Sequence, residues 1–410
     1  MAMTAALSSK PAHNELADFE QQCDAWFAAN VVADPGFMLP LTFMEVSTDA
    51  QFDFLRDWQR TVYEAGYLGM SWPVEYGGGG LHPDFQRTAT RIMRQYDAPI
   101  LLNAIGTGWA GPLILDVGTE AQRRRYIKPI LSAEEIWCQG FSEPENGSDL
   151  GNAQLKAVRD GDGYCATGSK IWTSLGDRAD HMILLARTTS DAASKYAGLS
   201  FFLAPMKVAG VETHRIKKLT GEYGFVQCFF DNAHIPADCL MGEEGQGWSM
   251  AMKTLEYERG TKVNLAGGYY SKDMDVMAIA DLARRSMRGG RPVLDDPVMR
   301  DRLVAFLIDI QSVNLNSQRR SIAALNQDRP MGLALMNKLT RTELVRELTQ
   351  FSLQFQGTRA GYYVGDTQAV DAGFWHRSYL NSFSATIGGG TSEIQKNIIG
   401  EHVLGLPKTR

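Results

Sequence analysis

Two glutamates in the segment Leu255-Glu-Tyr-Glu-Arg-Gly260 are candidates for acid–base chemistry. A carboxylate that is desolvated and held in place can accept a proton from a weakly acidic carbon. The surrounding pattern is helical, and each helical residue advances about 100°, so Glu256 and Glu258 point about 200° apart. Only one of them can therefore face a given site. The alternative is a solvated helix face of mixed charge.

A turn with free hydrogen-bonding groups is predicted within Trp137–Asp149. Pro144 and Gly147 force the chain to turn, which leaves main-chain amides and the hydroxyls of Ser142 and Ser148 unpaired nearby. Such a loop can donate hydrogen bonds to an electron-rich ring or a phosphate. An ordinary tight turn between two elements is the alternative.

A flat apolar side chain and a hydroxyl stand two residues apart in Gly168-Ser-Lys-Ile-Trp-Thr-Ser174. In a regular strand this spacing places Trp172 and Ser174 on the same side. Together they could cover a flat heterocycle and hydrogen-bond to it. A half-buried strand with Trp172 in the core is the alternative.

A run of glycines precedes an apolar helix in Gly388-Gly-Gly-Thr-Ser-Glu-Ile-Gln395. Ser392 and Gln395 have the spacing of a capping box, which predicts that the helix starts at this point. The exposed amides of a helix start can receive an anion, although a plain loop would have the same composition.

The periodicity of the chain divides it into helices, then strands, then helices, which predicts an α+β protein. We expect a helical domain at residues 1–133, a β domain at 134–243 and a second helical domain at 244–410. A capping box is predicted at Thr119–Gln122, and an exposed loop at Arg284–Asp296. The predicted strands are short apolar or aromatic segments: Tyr164–Ala166, His181–Ala186, Leu199–Leu203 and Phe225–Phe230.

Composition excludes several classes of protein. The net charge of −6 argues against general nucleic-acid binding. Five scattered cysteines without CxxC spacing indicate reduced thiols, and the first residues lack the order of a secretory signal, so we expect a cytoplasmic protein. The uncharged run Ala98–Leu115 contains helix breakers and polar side chains, which predicts a buried element rather than a membrane span.

The motifs occur in an order that resembles the acyl-CoA dehydrogenase family along nearly the whole chain. The resemblance implies three domains, namely N-terminal helical, middle β-barrel-like and C-terminal helical-bundle domains. It also implies bound FAD, an acyl-CoA substrate, an electron-transfer flavoprotein as partner, and a homotetramer or homodimer. The segments that carry it are Gly69–Gly78, Gly118–Gln122, Phe141–Pro144, Phe230–Pro236, Gly245–Trp248 and Ile387–Pro407.

Site residues follow from the resemblance position by position. Those that match cofactor contacts are Gln139, Phe141, Ser142, Gly147, Ser148, Trp172, Thr173, Ser174, Gly357, Thr391 and Glu393. Those that match contacts to the acyl-CoA are Ser148, Glu256, Tyr257 and Arg259. The matching hydroxyl of Ser174 would face N5 of the flavin.

Two departures from the family pattern affect the expected function. Most members carry the catalytic glutamate where this chain has Gly389, after an aromatic where it has Gly388. A minority, including isovaleryl-type enzymes, place it before an arginine on a helix, and Glu258 matches that position. We therefore expect Glu258 to be the base, and the missing volume favours a branched, cyclic or bulky substrate.

The second departure concerns the ADP half of the cofactor. The stretch that usually holds it is replaced by Ser286, Gly289-Gly290 and Leu353, and only Gly357 is kept at the turn. This pattern is similar to hetero-oligomeric bacterial relatives in which only some subunits hold flavin. A non-catalytic partner subunit and an acyl-CoA oxidase are the alternative functions.

Overall fold

The computed structural model describes residues 10–32, 34–190, 194–258, 275–320, 322, 325 and 330–408. The chain divides into two compact units, residues 1–269 and 270–410. The first unit contains helices and a large sheet, and the second consists mainly of helices. The α+β fold class predicted from the sequence is confirmed. The domain boundaries at residues 133–134 and 243–244 stay a prediction.

Among the described residues of the first unit, five α-helices precede the sheet in the sequence and one follows it. Thr119 caps one of them through the predicted capping box: its hydroxyl accepts from the amide of Gln122, whose side chain accepts from the amide of Thr119. The helices are α1 (His13–Asn30), α2 (Asp49–Glu64), α3 (Pro83–Gln95), α4 (Gly111–Val117), α5 (Glu120–Leu131) and α6 (Gly247–Glu258). A π-helix at Gly106–Ala110 leads directly into α4.

The strands pair in the order β6-β7-β3-β2-β4-β5-β8, with β1 added parallel to β4. All four predicted strand segments lie inside observed strands. Within the described residues, no pairing joins β6 to β8, so the order ends at those two strands. The strands are β1 (Trp137–Gly140), β2 (Lys156–Asp160), β3 (Gly163–Ser174), β4 (His181–Arg187), β5 (Leu199–Pro205), β6 (Val211–Ile216), β7 (Phe225–Pro236) and β8 (Leu240–Met241).

The middle of the sheet is buried on both faces. In β4, Ile183 and Leu185 belong to the core shared with the helices, whereas Met182 and Leu184 belong to a core formed by the sheet itself. This is why β4 reads as a continuous apolar run rather than an alternating one. Helix α6 packs against β5 so closely that a Cβ at Gly247 would lie 2.5 Å from the backbone of Ser200.

The second unit has a helical core of its own. Its helices are α7 (Val276–Arg285), α8 (Pro297–Arg320), α9 (Pro330–Gln356), α10 (Phe374–Ala385) and α11 (Ser392–Ile398). The segment predicted as an exposed loop, Arg284–Asp296, is largely exposed at residues 287–291 but is not a plain loop. A β-hairpin pairs β9 (Met287–Arg288) with β10 (Arg291–Pro292), because Gly289 and Gly290 both adopt the positive φ of a two-residue hairpin turn.

The uncharged run at residues 98–115 lies inside the first unit. It includes the π-helix and the start of α4, and most of its apolar side chains are buried in the core. The predicted buried element is therefore confirmed. Among the described helices, none combines the length and the apolar character needed to cross a bilayer.

Candidate active site

The loop after β1 and the end of β3 are joined through their main chains. The amide of Ile171 donates a 2.9 Å hydrogen bond to the carbonyl oxygen of Ser142. Two segments that the sequence analysis treated separately, Phe141–Ser148 and Trp172–Ser174, are thus brought together. The loop after β1 therefore lies directly against β3 at this point.

An ion pair that sequence reasoning missed joins the same two segments. The ammonium of Lys170, 0% exposed, donates to Glu143 at 2.8 Å and to the carbonyl oxygen of Phe141 at 3.1 Å. Burial alone would raise the pKa of Glu143, but Lys170 and the amides of Gln154 and Leu155 hold it below its usual value. Burial lowers the pKa of Lys170, and Glu143 opposes that change. A lysine within an otherwise half-buried strand could have indicated such a pair in the sequence.

Trp172 and Ser174 do not follow the alternation that the sequence predicted. A bulge between Lys170 and Thr173 interrupts the pairing of β3 with β7, and Trp172 adopts a φ of 60°. As a result the Trp172 side chain is 57% exposed, while Ser174 is buried and Thr173 is fully buried. Both earlier readings, a shared side and a core tryptophan, are wrong because the extra residue turns the indole outward.

The remaining loop residues occupy two environments. Phe141 is buried and packs edge-on against Phe201, and Gln139 is partly buried in β1 opposite Ile183. Gly147 and Ser148 are exposed, and a Cβ added at Gly147 would meet no atom within 4 Å. The loop is therefore anchored at its start and open at Gly147.

Helix α6 carries the candidate base at its end. Glu258 follows Ala251 by seven residues and Thr254 by four, so it lies on the same face as these two fully buried residues. Glu256 lies on the opposite face, as expected. Tyr257 is buried, and its hydroxyl is 3.5 Å from the carboxylate of Asp116. Arg259 lies outside the described residues.

In the second unit, the glycine run ends at a short helix whose cap differs from the prediction. The side chain of Thr391, not that of Ser392, accepts from the main chain, at Ile394. Ser392 instead donates to Glu343 at 2.5 Å. Hydrogen bonds from the main-chain amide of Glu393 itself and from the side chain of Thr391 keep the pKa of exposed Glu393 below its usual value. The expected helix start is correct, but its cap was assigned one residue too late.

Side chains from α9 and α11 fix the glycine run. Lys338 donates to the carbonyl oxygen of Gly390 at 2.6 Å, and Gln395 donates to that of Gly389 at 2.9 Å. Gly389 and Gly390 have φ of 63° and 88°, in the left-handed region that favours glycine. Gly388 has ordinary φ, and a Cβ there would meet only the carbonyl oxygen of Ser384, at 3.4 Å.

The positions matching the usual ADP contacts lie in the second unit. Ser286 ends α7, and Gly289-Gly290 form the tip of the hairpin. Leu353 is partly buried and packs on the helical core, while Gly357 is exposed with a φ of 57°. None of these five residues has a charged side chain.

Comparison with known proteins identifies the family. The models of the N-terminal, middle and C-terminal domains of acyl-CoA dehydrogenase match residues 41–134, 138–233 and 245–404. The chain therefore belongs to the acyl-CoA dehydrogenase family. It is an oxidoreductase with the three-part fold of that family, whose members are FAD-dependent flavoproteins.

Relatives and solved structures cover nearly the whole chain. Acyl-CoA dehydrogenase IpdE1 of Mycolicibacterium smegmatis is 34% identical in an alignment of 404 residues that covers 96% of this chain and 98% of the relative. The structure described as Tcur3481-Tcur3483 steroid ACAD superposes with a TM-score of 0.81 at 25% identity, covering 97% of this chain and 99% of that one. The ChsE4-ChsE5 complex from Mycobacterium tuberculosis gives 0.77 at 25% identity, covering 97% and 99%.

Two features of the first unit fit a flat cofactor ring. The indole of Trp172 is 57% exposed and makes a T-shaped contact with Phe225, so much of its apolar surface is open at the bulge. The backbone at Gly147 has free space around it. A ring system needs both, namely an apolar surface to stack on and main chain that it can approach closely.

Proposed function

We propose that this enzyme removes hydrogen from the α and β carbons of a bulky or ring-bearing acyl-CoA thioester, with Glu258 as the base. The product would be the trans-2-enoyl-CoA. The observation that carries the proposal is the position of Glu258 on the inner face of α6, together with glycine at the position where most family members have their glutamate.

Glu258 would take the α-proton of the thioester. That proton is weakly acidic, so its removal needs a carboxylate that is held in place and shielded from water. The face of α6 that carries Ala251, Thr254 and Glu258 packs into the apolar core of the first unit, which favours desolvation when an acyl chain is bound. Tyr257, Glu256 and Arg259 are proposed to contact the acyl-CoA.

The loop Phe141–Ser148 and the bulge Trp172–Ser174 would hold the flavin ring, with Gln139 beside them. The open indole of Trp172 supports stacking, and the hydroxyl and main-chain groups of Ser142 and Ser148 could donate to polar ring atoms. Thr391, Glu393 and Gly357 are proposed as further cofactor contacts. When bound, FAD supplies the two-electron oxidant that accepts the hydride from the β carbon.

The proposed substrate class is supported by missing side-chain volume. Gly388 and Gly389 replace an aromatic and a carboxylate of the usual pattern, and a Cβ at Gly388 would meet only one atom, at 3.4 Å. One similar structure is described as a steroid ACAD, which is a statement about that protein. It supports testing ring-bearing thioesters first.

An electron-transfer flavoprotein is the proposed electron acceptor. A cytoplasmic location is proposed as well. A homotetramer or homodimer is the simplest assembly. The alternative is a subunit of a hetero-oligomer, favoured by the uncharged replacements at Ser286, Gly289-Gly290 and Leu353. Two of the similar structures carry names that join two proteins.

The function is tested with protein purified alone and after co-expression with a second acyl-CoA dehydrogenase chain from the same source. Each preparation is analysed for flavin absorbance and then mixed anaerobically with straight-chain, branched and ring-bearing CoA thioesters. We expect flavin bleaching and an enoyl-CoA product with the ring-bearing thioesters. A clear preference for short linear chains would contradict the proposed substrate class. Colourless protein in every preparation would contradict the proposed dehydrogenase.

A further inference from the structure

The buried pair Lys170–Glu143 connects the two segments proposed to hold the flavin ring. Lys170 lies in β3, directly before the bulge, and Glu143 lies in the loop after β1. The Lys170 ammonium bonds both the Glu143 carboxylate and the carbonyl oxygen of Phe141. Glu143 also accepts from the amides of Gln154 and Leu155, at 2.6 and 2.8 Å. One charge pair thus fixes the loop at both of its ends.

Stability alone does not account for such a pair. Removing two charges from water is costly, and apolar side chains of similar volume often give equal or greater stability at such positions. The exposed fractions of the two side chains are 0% and 6%, so solvent contributes almost nothing to their solvation. What an apolar pair could not supply is direction. The Lys170 ammonium holds a specific main-chain carbonyl, and Glu143 holds two specific amides.

We propose that Lys170 and Glu143 are positioning residues for the cofactor site. They hold Phe141-Ser142 against β3, so that the Ile171–Ser142 hydrogen bond forms and the bulge turns Trp172 outward. This inference rests on the proposed location of the flavin ring between the loop and the bulge. The proposed role of the pair is geometric, since the two side chains are 0% and 6% exposed and bond to each other and to the main chain.

The test compares the parent with Lys170→Met, Glu143→Gln and the double variant Lys170→Met/Glu143→Leu. Each single change leaves one buried group without its partner, which destabilises the protein strongly. The double variant removes both charges and should recover most of the lost free energy of unfolding. A matched control is Asp149→Asn, which removes an ion pair with Lys195 in the same region, where both side chains are about half exposed.

Three measurements on each folded variant separate positioning from stability. They are the free energy of unfolding of the apoprotein, the dissociation constant of FAD, and amide hydrogen exchange in residues 141–148 and 168–174 of the apoprotein. For the double variant we expect near-parent stability, FAD binding at least tenfold weaker, and faster exchange at Ile171, whose amide loses its partner. The Asp149→Asn control should match the parent in all three.

The outcomes are distinct. A double variant with parent-like stability, parent-like FAD affinity and unchanged exchange would show that the pair only fills space, which overturns the proposal. If the double variant does not fold, Glu143→Gln decides instead, because it keeps the size of the side chain. Parent-like FAD affinity there would overturn the proposal as well. Failure of the parent to bind FAD both alone and with the co-expressed second chain contradicts the proposed function, and no other arm of the experiment gives that result.

Discussion

The amide of Ile171 and the carbonyl oxygen of Ser142 are joined by a 2.9 Å hydrogen bond. This contact lies within the β-bulge, where the pairing of β3 with β7 slips between Lys170 and Thr173. Because Ile171 bonds to the loop at this point, the bulge is supported from a second direction. The open indole of Trp172 is therefore part of a held conformation, although a tryptophan at positive φ is strained.

Replacing Trp172 by glycine should separate stability from cofactor binding. A bulky residue in the left-handed region costs about 1–3 kcal/mol, and glycine adopts this conformation without that cost. We expect Trp172→Gly to be more stable than Trp172→Ala by about 1 kcal/mol in urea unfolding of the apoprotein, since alanine keeps the strain. Both variants lack the ring and should bind FAD more weakly than the parent. Equal stability of the two variants would contradict the assigned strain.

Local patterns in the sequence predicted the elements well and the bulge not at all. The capping box at Thr119–Gln122 depends only on neighbouring residues, and the structure confirms it. The side on which Trp172 points depends on how β3 pairs with β7. These strands are far apart in the sequence, so a local pattern cannot show their register. The same is true of the Lys170–Glu143 pair, because its partners belong to different elements. Thr391 was missed as a cap because Ser392 has an equally suitable side chain, and only the contact with Glu343 excludes it.

The stability of the first unit should depend on the charge of Glu135. Burial alone would raise the pKa of this carboxyl, but hydrogen bonds from His181 and Arg125 outweigh burial and lower it to about 2. A lowered folded-state pKa gives stability that is present above the unfolded value of 4.5 and is lost as the pH falls toward 2.

We therefore expect Glu135→Gln to lower the free energy of unfolding at pH 7 by about 1–2 kcal/mol, a figure reduced for partial solvent screening. The difference between variant and parent should shrink as the pH falls from 4.5 toward 2. Urea unfolding of both proteins across this range measures it. A constant difference at every pH would mean that packing, and not charge, is responsible.

The size of the side chain at residue 388 should control which thioesters react. Gly388→Ala is the control, because a Cβ there meets only one atom, at 3.4 Å, and the backbone φ is ordinary. Gly388→Phe restores an aromatic side chain to the position. We expect it to lower kcat/KM for ring-bearing thioesters at least tenfold while straight-chain thioesters change less. Equal losses for both substrate classes would argue that Gly388 does not border the acyl group.

Glu258→Gln should stop the chemical step and leave the rest of the enzyme intact. Glutamine keeps the size and hydrogen bonding of glutamate but cannot take a proton. Because positioned proton transfer contributes about 10²–10⁴-fold, anaerobic flavin reduction should slow by roughly that factor with FAD still bound. Glu256→Gln is the matched control at saturating thioester. Glu256 lies about 200° around α6 from Glu258, so its loss can weaken substrate binding but should leave the limiting rate of reduction near that of the parent. Stopped-flow absorbance with one reactive thioester measures all three proteins. Parent-like reduction by Glu258→Gln would refute the assigned base. Loss of reduction in Glu256→Gln alone would move the base to the opposite face of the helix.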